Sequence, residues 1–360
     1  MRKDIVEAAG EFSAYGALKL AWSFGSGAEH LIPSDFRKVA TGCFSFEGLE
    51  LDSWGLGLSG TYARGEAVSQ DVACPPSDWL LPWWNADTSG SGSLEVFLAV
   101  EAPSGWSSWY PMGSWGQKPT SFFAEDAVAS LRTDTLFLSG TTTRYRIRLV
   151  FSTGDQPGSV RLRRFGLICR DKGEKVHPSR SYLLKDCALN VPPRSQMVEA
   201  ADVKGRICSP TCCAMALESL GIGLPTLLVA ADCYDAGAGI YGNWPFNVAS
   251  LWRLGARARL DYFPNMESAA ADILRGHPCI CSIRFAEGKL PGAPISKSSG
   301  HLVLVRGFSR SEGGKAKVLV NDPAAPSRDS VMRSYAVEDF EAAWTGVAYV
   351  VEGSSRPQPQ

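Results

Sequence analysis

Between residues 36 and 169, apolar and polar positions alternate in short bursts. The stretch "SLEVFLAV" sets Leu94, Val96, Leu98 and Val100 on one face, and "RYRIRLVF" sets Tyr145, Ile147, Leu149 and Phe151 opposite Arg146 and Arg148. Period-2 alternation predicts strands that bury one side only. Gly, Ser, Pro and Asn separate the bursts and no helical stretch intervenes, so the spacing predicts an antiparallel β-sandwich, jelly-roll-like in type.

The pattern changes after the polar stretch "RDKGEKVHPSR", 170–180, which reads as a linker. Beyond it, "SPTCCAMALESLG", "VASLWRLGA" and "NMESAAADILRG" carry helical patterning, whereas "CICSIRF", "HLVLVRGF" and "KVLVND" read as strands. Helices followed by antiparallel strands predict an α+β unit. The expected organisation is a β-sandwich domain with an irregular N-terminal segment over 1–178, an α+β domain over 179–353 and a disordered tail over 354–360.

Composition narrows the classes of function. A chain of 360 residues, 45% hydrophobic and 20% charged, holds enough apolar material for two cores. Lys and Arg number 36 against 37 Asp and Glu, which leaves no charge excess to draw the protein to nucleic acid or an anionic membrane surface. No apolar run approaches the roughly 18 residues of a membrane span. Asp4, Glu7 and Glu11 interrupt any apolar signal core, so the expectation is a cytoplasmic protein as written, or a secreted one whose export leader has been removed.

Seven of the eleven tryptophans fall between Trp54 and Trp115, in a half rich in Gly, Ser and Asn. Two readings follow: large aromatics filling the sandwich core, or a platform for a glycan.

Ten cysteines are spaced neither as a disulfide framework nor as paired CxxC metal knuckles, so no metal site is expected. One stretch stands apart, "GRICSPTCCAMALESLG" at 205–221. Pro210 suits the first turn of a helix, which places Cys208 at a helix N-terminus. Unpaired amides and the helix dipole stabilise a thiolate there. Cys212 and Cys213 lie a turn further in, where that field fades.

A thiolate nucleophile needs a base, and the chain has four histidines. His30 lies in an irregular stretch and His177 in the linker, while His277 precedes a proline where a strand begins. His301 opens "HLVLVRGF", the first arm of a hairpin whose second arm is "KVLVND". Folding about the centre of the 309–314 turn sets position 301 opposite about 322, and residue 322 is Asp. An imidazole and a carboxylate are thus expected side by side at the hairpin's open end, where the acid orients the ring. The other reading of Asp322 is a turn residue before Pro323. Gln196 carries a neutral amide able to donate to a developing oxyanion, or is simply a polar loop residue.

The blocks "VPPRSQM", "CSPTCCAM", "GNWPFN", "GAPISKSSGHLVLVRGF", "VLVNDPA" and "YAVEDFEAAW" together resemble the bacterial papain-like cysteine peptidases related to bacteriocin-leader-processing (double-glycine) peptidases. The resemblance covers roughly 190–352, and the half before it is similar to a β-rich domain that precedes the catalytic one in longer members. It implies a papain-like fold with Cys208 as nucleophile, His301 as base, Asp322 as orienting acid and Gln196 as oxyanion donor. It implies neither metal nor organic cofactor, and a peptide or protein as substrate. Asn243, Trp244 and Asn247, in the shared stretch "YGNWPFNVASLW", are candidates for the substrate cleft, or else anchor a helix to the core. Cys212 stands where relatives carry a small hydroxyl residue; a second sulfur one turn from Cys208 suggests disulfide formation or metal capture.

These readings converge on a cysteine hydrolase acting through a thioester. Acyl transfer to an amine by the same residues remains open, as does a glycan- or peptide-binding protein whose papain-like half is inert.

Overall fold

The alternation in "RYRIRLVF" becomes part of a long strand, Thr135–Ser152, in which Tyr145, Ile147, Leu149 and Phe151 are fully buried while Arg144, Arg146 and Arg148 point outward. The computed structural model describes residues 18–23, 44–52, 55–154, 158–173, 175–180, 184–310 and 315–355. His30, Trp54 and the last five residues of the expected tail lie outside them. The chain divides into Met1–Glu174 with Asp235–Gly239, and Lys175–Tyr234 with Ile240–Gln360. That division comes four residues before the boundary read from the sequence.

Among the described residues the first unit is β-rich, as its alternation predicts, and its strand pairs are antiparallel. Its strands join in one 13-stranded network, nearly closed and barrel-like, where the sequence suggested two facing sheets. The strand Thr135–Ser152 is the reason. Its first part pairs with Val72–Gly90 through Leu136↔Leu80, and its later part pairs with Ser93–Ala102 through Ile147↔Leu98. Register shifts around Thr142 separate the two parts; the Thr142 hydroxyl accepts from Arg144 N–H at 3.2 Å. Irregularities of this kind bend a strand and carry pairing from one layer into the next. Trp79, Trp83, Trp84 and Trp115 are buried in this unit, so four of its six tryptophans with described side chains serve the core.

In the second unit the three predicted helices appear as α1 (Cys208–Ser219), α3 (Trp244–Arg253) and α4 (Met266–Leu274). Two more are present, α2 (Thr226–Cys233) and α5 (Val337–Ala343). A seven-stranded antiparallel sheet runs Ala256–Tyr262, Trp344–Ser354, Cys279–Phe285, Ser298–Arg310, Ala316–Asn321 and Met332–Ala336, with Cys187–Ala188 paired to the fourth of these. Residues 209–217 of α1 are all buried, which explains a helix apolar on every side. The Ser209 hydroxyl shares a hydrogen bond of 3.0 Å with Tyr349 of the second strand, and the Cys212 thiol donates to Leu302 O of the fourth at 3.4 Å. These contacts set the start of α1 against the middle of the sheet.

Gly346 allows the edge strand Ala256–Tyr262 to meet its neighbour Trp344–Ser354. Its φ is +84°, its carbonyl accepts from Phe263 N–H at 2.8 Å, and a Cβ there would stand 2.3 Å from the Tyr262 ring. Tyr262 is 1% exposed and has nowhere to retreat. Gly346→Ala is expected to cost about 2–4 kcal/mol, from the left-handed backbone and overpacking together. Chemical denaturation measures it, and a loss below about 1 kcal/mol would contradict the assignment.

Candidate active site

Cys208 is the first residue of α1, two positions before Pro210, as the sequence suggested. Cys208 is half-buried, and its sulfur lies close enough to the His301 ring for each to shift the other's ionisation. His301 sits in the strand Ser298–Arg310 and is 4% exposed; its Nε2–H donates to Asp322 Oδ1 at 2.8 Å, which leaves Nδ1 for the sulfur. The structure therefore brings Cys208, His301 and Asp322 together, the last two joined by a hydrogen bond.

The hairpin reaches this arrangement by a different register from the one expected. Observed pairing is Leu304↔Asn321, with a one-residue shift between Val305 and Gly307, so position 301 faces about 324. Asp322 meets the ring diagonally, within reach of an imidazole. It does so because it also makes the turn: its N–H donates to Val331 O at 2.9 Å, and its Oδ1 accepts from Ala324 N–H at 3.0 Å. Asp322 thus both bonds the His301 ring and makes the turn.

Charge on these groups follows from their surroundings. Burial pushes the Cys208 thiol up, but the hydrogen bond and charge of His301, with the N–H groups of Leu302 and Ser209, outweigh it and leave the thiol below its ordinary range. Burial pushes His301 down, yet Asp322 and Cys208 together raise it to about 10. Burial likewise opposes ionisation of Asp322, and His301, Ala324 N–H and Tyr335 overcome it, so this carboxyl lies below the usual range. These shifts all run toward thiolate, imidazolium and carboxylate. Cys212, Cys213, Cys233, Cys279 and Cys281 are instead pushed up by burial and stay neutral thiols.

Two supporting residues carried no signal in the linear pattern. Tyr335 is buried in the strand Met332–Ala336 and donates its hydroxyl to Asp322 Oδ2 at 2.9 Å. Asn321 donates to Val191 O at 3.0 Å, which fastens the segment leading to Gln196 against the Asp322 turn. Gln196 opens a short 3₁₀ turn, is 5% exposed and donates its N–H to Pro323 O at 2.9 Å. Its side-chain Oε1 has no hydrogen-bond partner.

Cys208 opens on a cleft of about 400 Å³, whose wall includes Arg206, Tyr241, Trp244, Gly300 and Leu302. Of the three cleft candidates only Trp244 lines it. Asn243 is 1% exposed and caps α3, its Oδ1 accepting from Phe246 N–H at 3.1 Å. Asn247 is fully buried and donates to Tyr241 O and Asn243 O at 2.8 and 2.7 Å. Both amides serve the turn before α3, because buried polar groups at a helix start satisfy backbone first. His277 pairs through Nδ1 with Asp272 at 3.4 Å, beside the Arg259 ion cluster. Among the described residues, no group of three or more His, Cys, Asp or Glu could hold a metal ion, and no helix is long and apolar enough to cross a membrane.

An α+β unit that sets a cysteine at the tip of its central helix, against a histidine on the facing sheet, has the papain-like cysteine peptidase fold. Residues 188–351 match the Peptidase_C39 like family, and residues 48–169 match the Peptidase C39 N-terminal domain. The chain belongs to the C39-like peptidase family. No curated protein matches it. Among solved structures it is similar to a double glycine motif protease from an AMS/PCAT transporter in complex with the leader peptide, at 20% identity over 47% of this chain and 96% of that one, TM-score 0.31. A putative C39-like peptidase from Bacillus anthracis matches at 18% identity over 49% of this chain and 100% of that one, TM-score 0.34. Recombinant stem bromelain precursor matches at 11% identity over 51% and 76%, TM-score 0.35.

Proposed function

We propose that the second unit is a cysteine peptidase that cleaves a peptide amide through a thioester on Cys208, with His301 and Asp322 completing the triad. The observation that carries this reading is the grouping of Cys208 beside His301, which is hydrogen-bonded to Asp322 at 2.8 Å, with Cys208 on the wall of a cleft. The Cys208 thiolate attacks the substrate carbonyl carbon, and the amide C–N bond breaks as His301 Nδ1 gives its proton to the departing amine. Water then attacks the thioester, His301 takes a proton from it, and the acid product leaves with Cys208 restored. Asp322 keeps the ring oriented and its positive charge favourable.

Gln196 is the proposed oxyanion donor beside the Cys208 N–H. Its support is a buried side-chain amide, whose Nε2 is a donor, on a segment bonded to the Asp322–Pro323 turn. A peptide substrate accords with the family and with the leader peptide bound by the transporter protease. Transfer of the acyl group to an amine would use the same residues, with the amine in place of water.

Brief treatment with iodoacetamide near pH 7, followed by peptide mapping, tests the proposal. Cys208 is expected to label first, ahead of the six buried thiols among the described residues, and cleavage of a peptide library is expected to stop in proportion. Even labelling of all cysteines, or cleavage that survives full alkylation of Cys208, would sink it. Joined rather than shortened peptides in the same library would identify the transferase.

A further inference from the structure

The first unit carries a second cleft, of about 460 Å³, lined by Val68, Ser69, Gln70, Asp71, Trp109 and Arg146. It lies where the outward arginines of the strand Thr135–Ser152 meet the turn before Val72. Whereas Trp79, Trp83, Trp84 and Trp115 are core residues, Trp106 and Trp109 are half-buried here. The Arg146 guanidinium covers Trp106, 4.0 Å from the ring centroid, and its Nε donates to Asp71 Oδ1 at 2.6 Å. Arg144 holds the other oxygen of Asp71 and reaches Glu101 at 3.3 Å. Two guanidinium groups and two carboxylates thus cancel, and each is already oriented by its neighbours.

Trp109 differs from the rest. Among the described residues neither its ring nor its indole N–H has a partner, and the Gln70 side-chain amide has none either. An aromatic face beside accessible donors and a fixed carboxylate is an unusual combination for a surface that only needs to stay soluble. Large aromatics are ordinarily buried, and indole donors that are buried ordinarily find partners in the protein.

We propose that this cleft binds a neutral oligosaccharide. The apolar C–H face of a pyranose ring would lie on Trp109, its hydroxyls donating to Asp71 and accepting from Arg146, Gln70 and the indole N–H. Because the charged groups are mutually held before any ligand arrives, little side-chain freedom is lost on binding. Because they sum to zero, an acidic ligand meets no excess of positive charge and a hydroxyl-rich neutral one meets donors and acceptors in balance.

Calorimetric titration of the full-length protein tests this, with cellotetraose, xylotetraose, mannotetraose and N-acetylchitotetraose as neutral probes and tetragalacturonate as the acidic one. At least one neutral probe is expected to bind saturably. Trp109→Ala should weaken it about tenfold or more, and Gln70→Ala about threefold, while Trp109→Phe retains part of the affinity. Thermal melting checks that each variant is folded, and iodoacetamide labelling of Cys208 should be the same in all. Absence of saturable binding by every neutral probe up to about 10 mM overturns the proposal, as does unchanged binding by folded Trp109→Ala or tighter binding of tetragalacturonate.

Discussion

Replacing Cys208 by alanine is expected to lower peptide cleavage by about 10⁴-fold or more while leaving the protein folded. The proposed thioester forms on this sulfur, and water held in its stead is a far poorer nucleophile. Stability should change little, because Cys208 is half-buried at the first helical position and its side chain contributes little packing. The pH profile of the wild type carries the same logic with its signs. Activity requires thiolate and imidazolium together: it falls on the acid side as pH drops through the lowered Cys208 pKa, and on the alkaline side as His301 loses its proton near about 10. A broad plateau across neutrality is the result, read from kcat/KM between these limbs. A Cys208→Ala variant that keeps substantial cleavage, or a wild-type profile rising from pH 7 to 9 like that of an unassisted thiol, would contradict the ion pair.

Asp322→Ala is expected to be the most damaging change to stability and to activity together. It leaves His301 Nε2–H, the Tyr335 hydroxyl and Ala324 N–H facing a buried space without their common acceptor. Such orphaned groups cost about 3–5 kcal/mol. Activity should drop about 10²–10³-fold in the fraction that folds, since the imidazole loses its orientation and its charge loses support. Asp322→Asn should recover much of both, because an amide oxygen still accepts from Nε2–H, and its alkaline limb should shift from about 10 toward the ordinary histidine value of 6.5. Two opposite stability trends follow in the wild type. The depressed Asp322 contributes stability above its unfolded value of 3.8 that is lost as pH falls through its folded pKa. The raised His301 contributes stability fully present below 6.5 and lost as pH rises toward about 10. Denaturant midpoints against pH, in wild type and Asp322→Asn, measure both; identical curves for the two proteins would exclude the coupling.

The candidate site was readable in outline because its chemistry depends on local order. Pro210 two places after Cys208 marks a helix start, and the apolar run beginning at Leu302 marks the strand that carries His301. The hairpin argument found the right partner with the wrong register, since a shift near Arg306 and the turn made by Asp322 both fall outside a constant pairing sum. Asn243 and Asn247 were read toward the cleft on the strength of a helix start, but that same helix start claims them. Tyr335 went unnoticed because a tyrosine in a strand carries no mark of the carboxylate it meets.

Two β-rich and α+β halves, the strand faces of "RYRIRLVF" and the thiol at a helix tip follow from the sequence alone, because periodicity and capping act over a few residues. The continuous barrel-like pairing of the first unit, the support of Asp322 by Tyr335, and the choice of which tryptophans are buried were decided only by tertiary structure. Each depends on residues far apart in the chain becoming neighbours, and the exact match of their surfaces is not written in any local stretch.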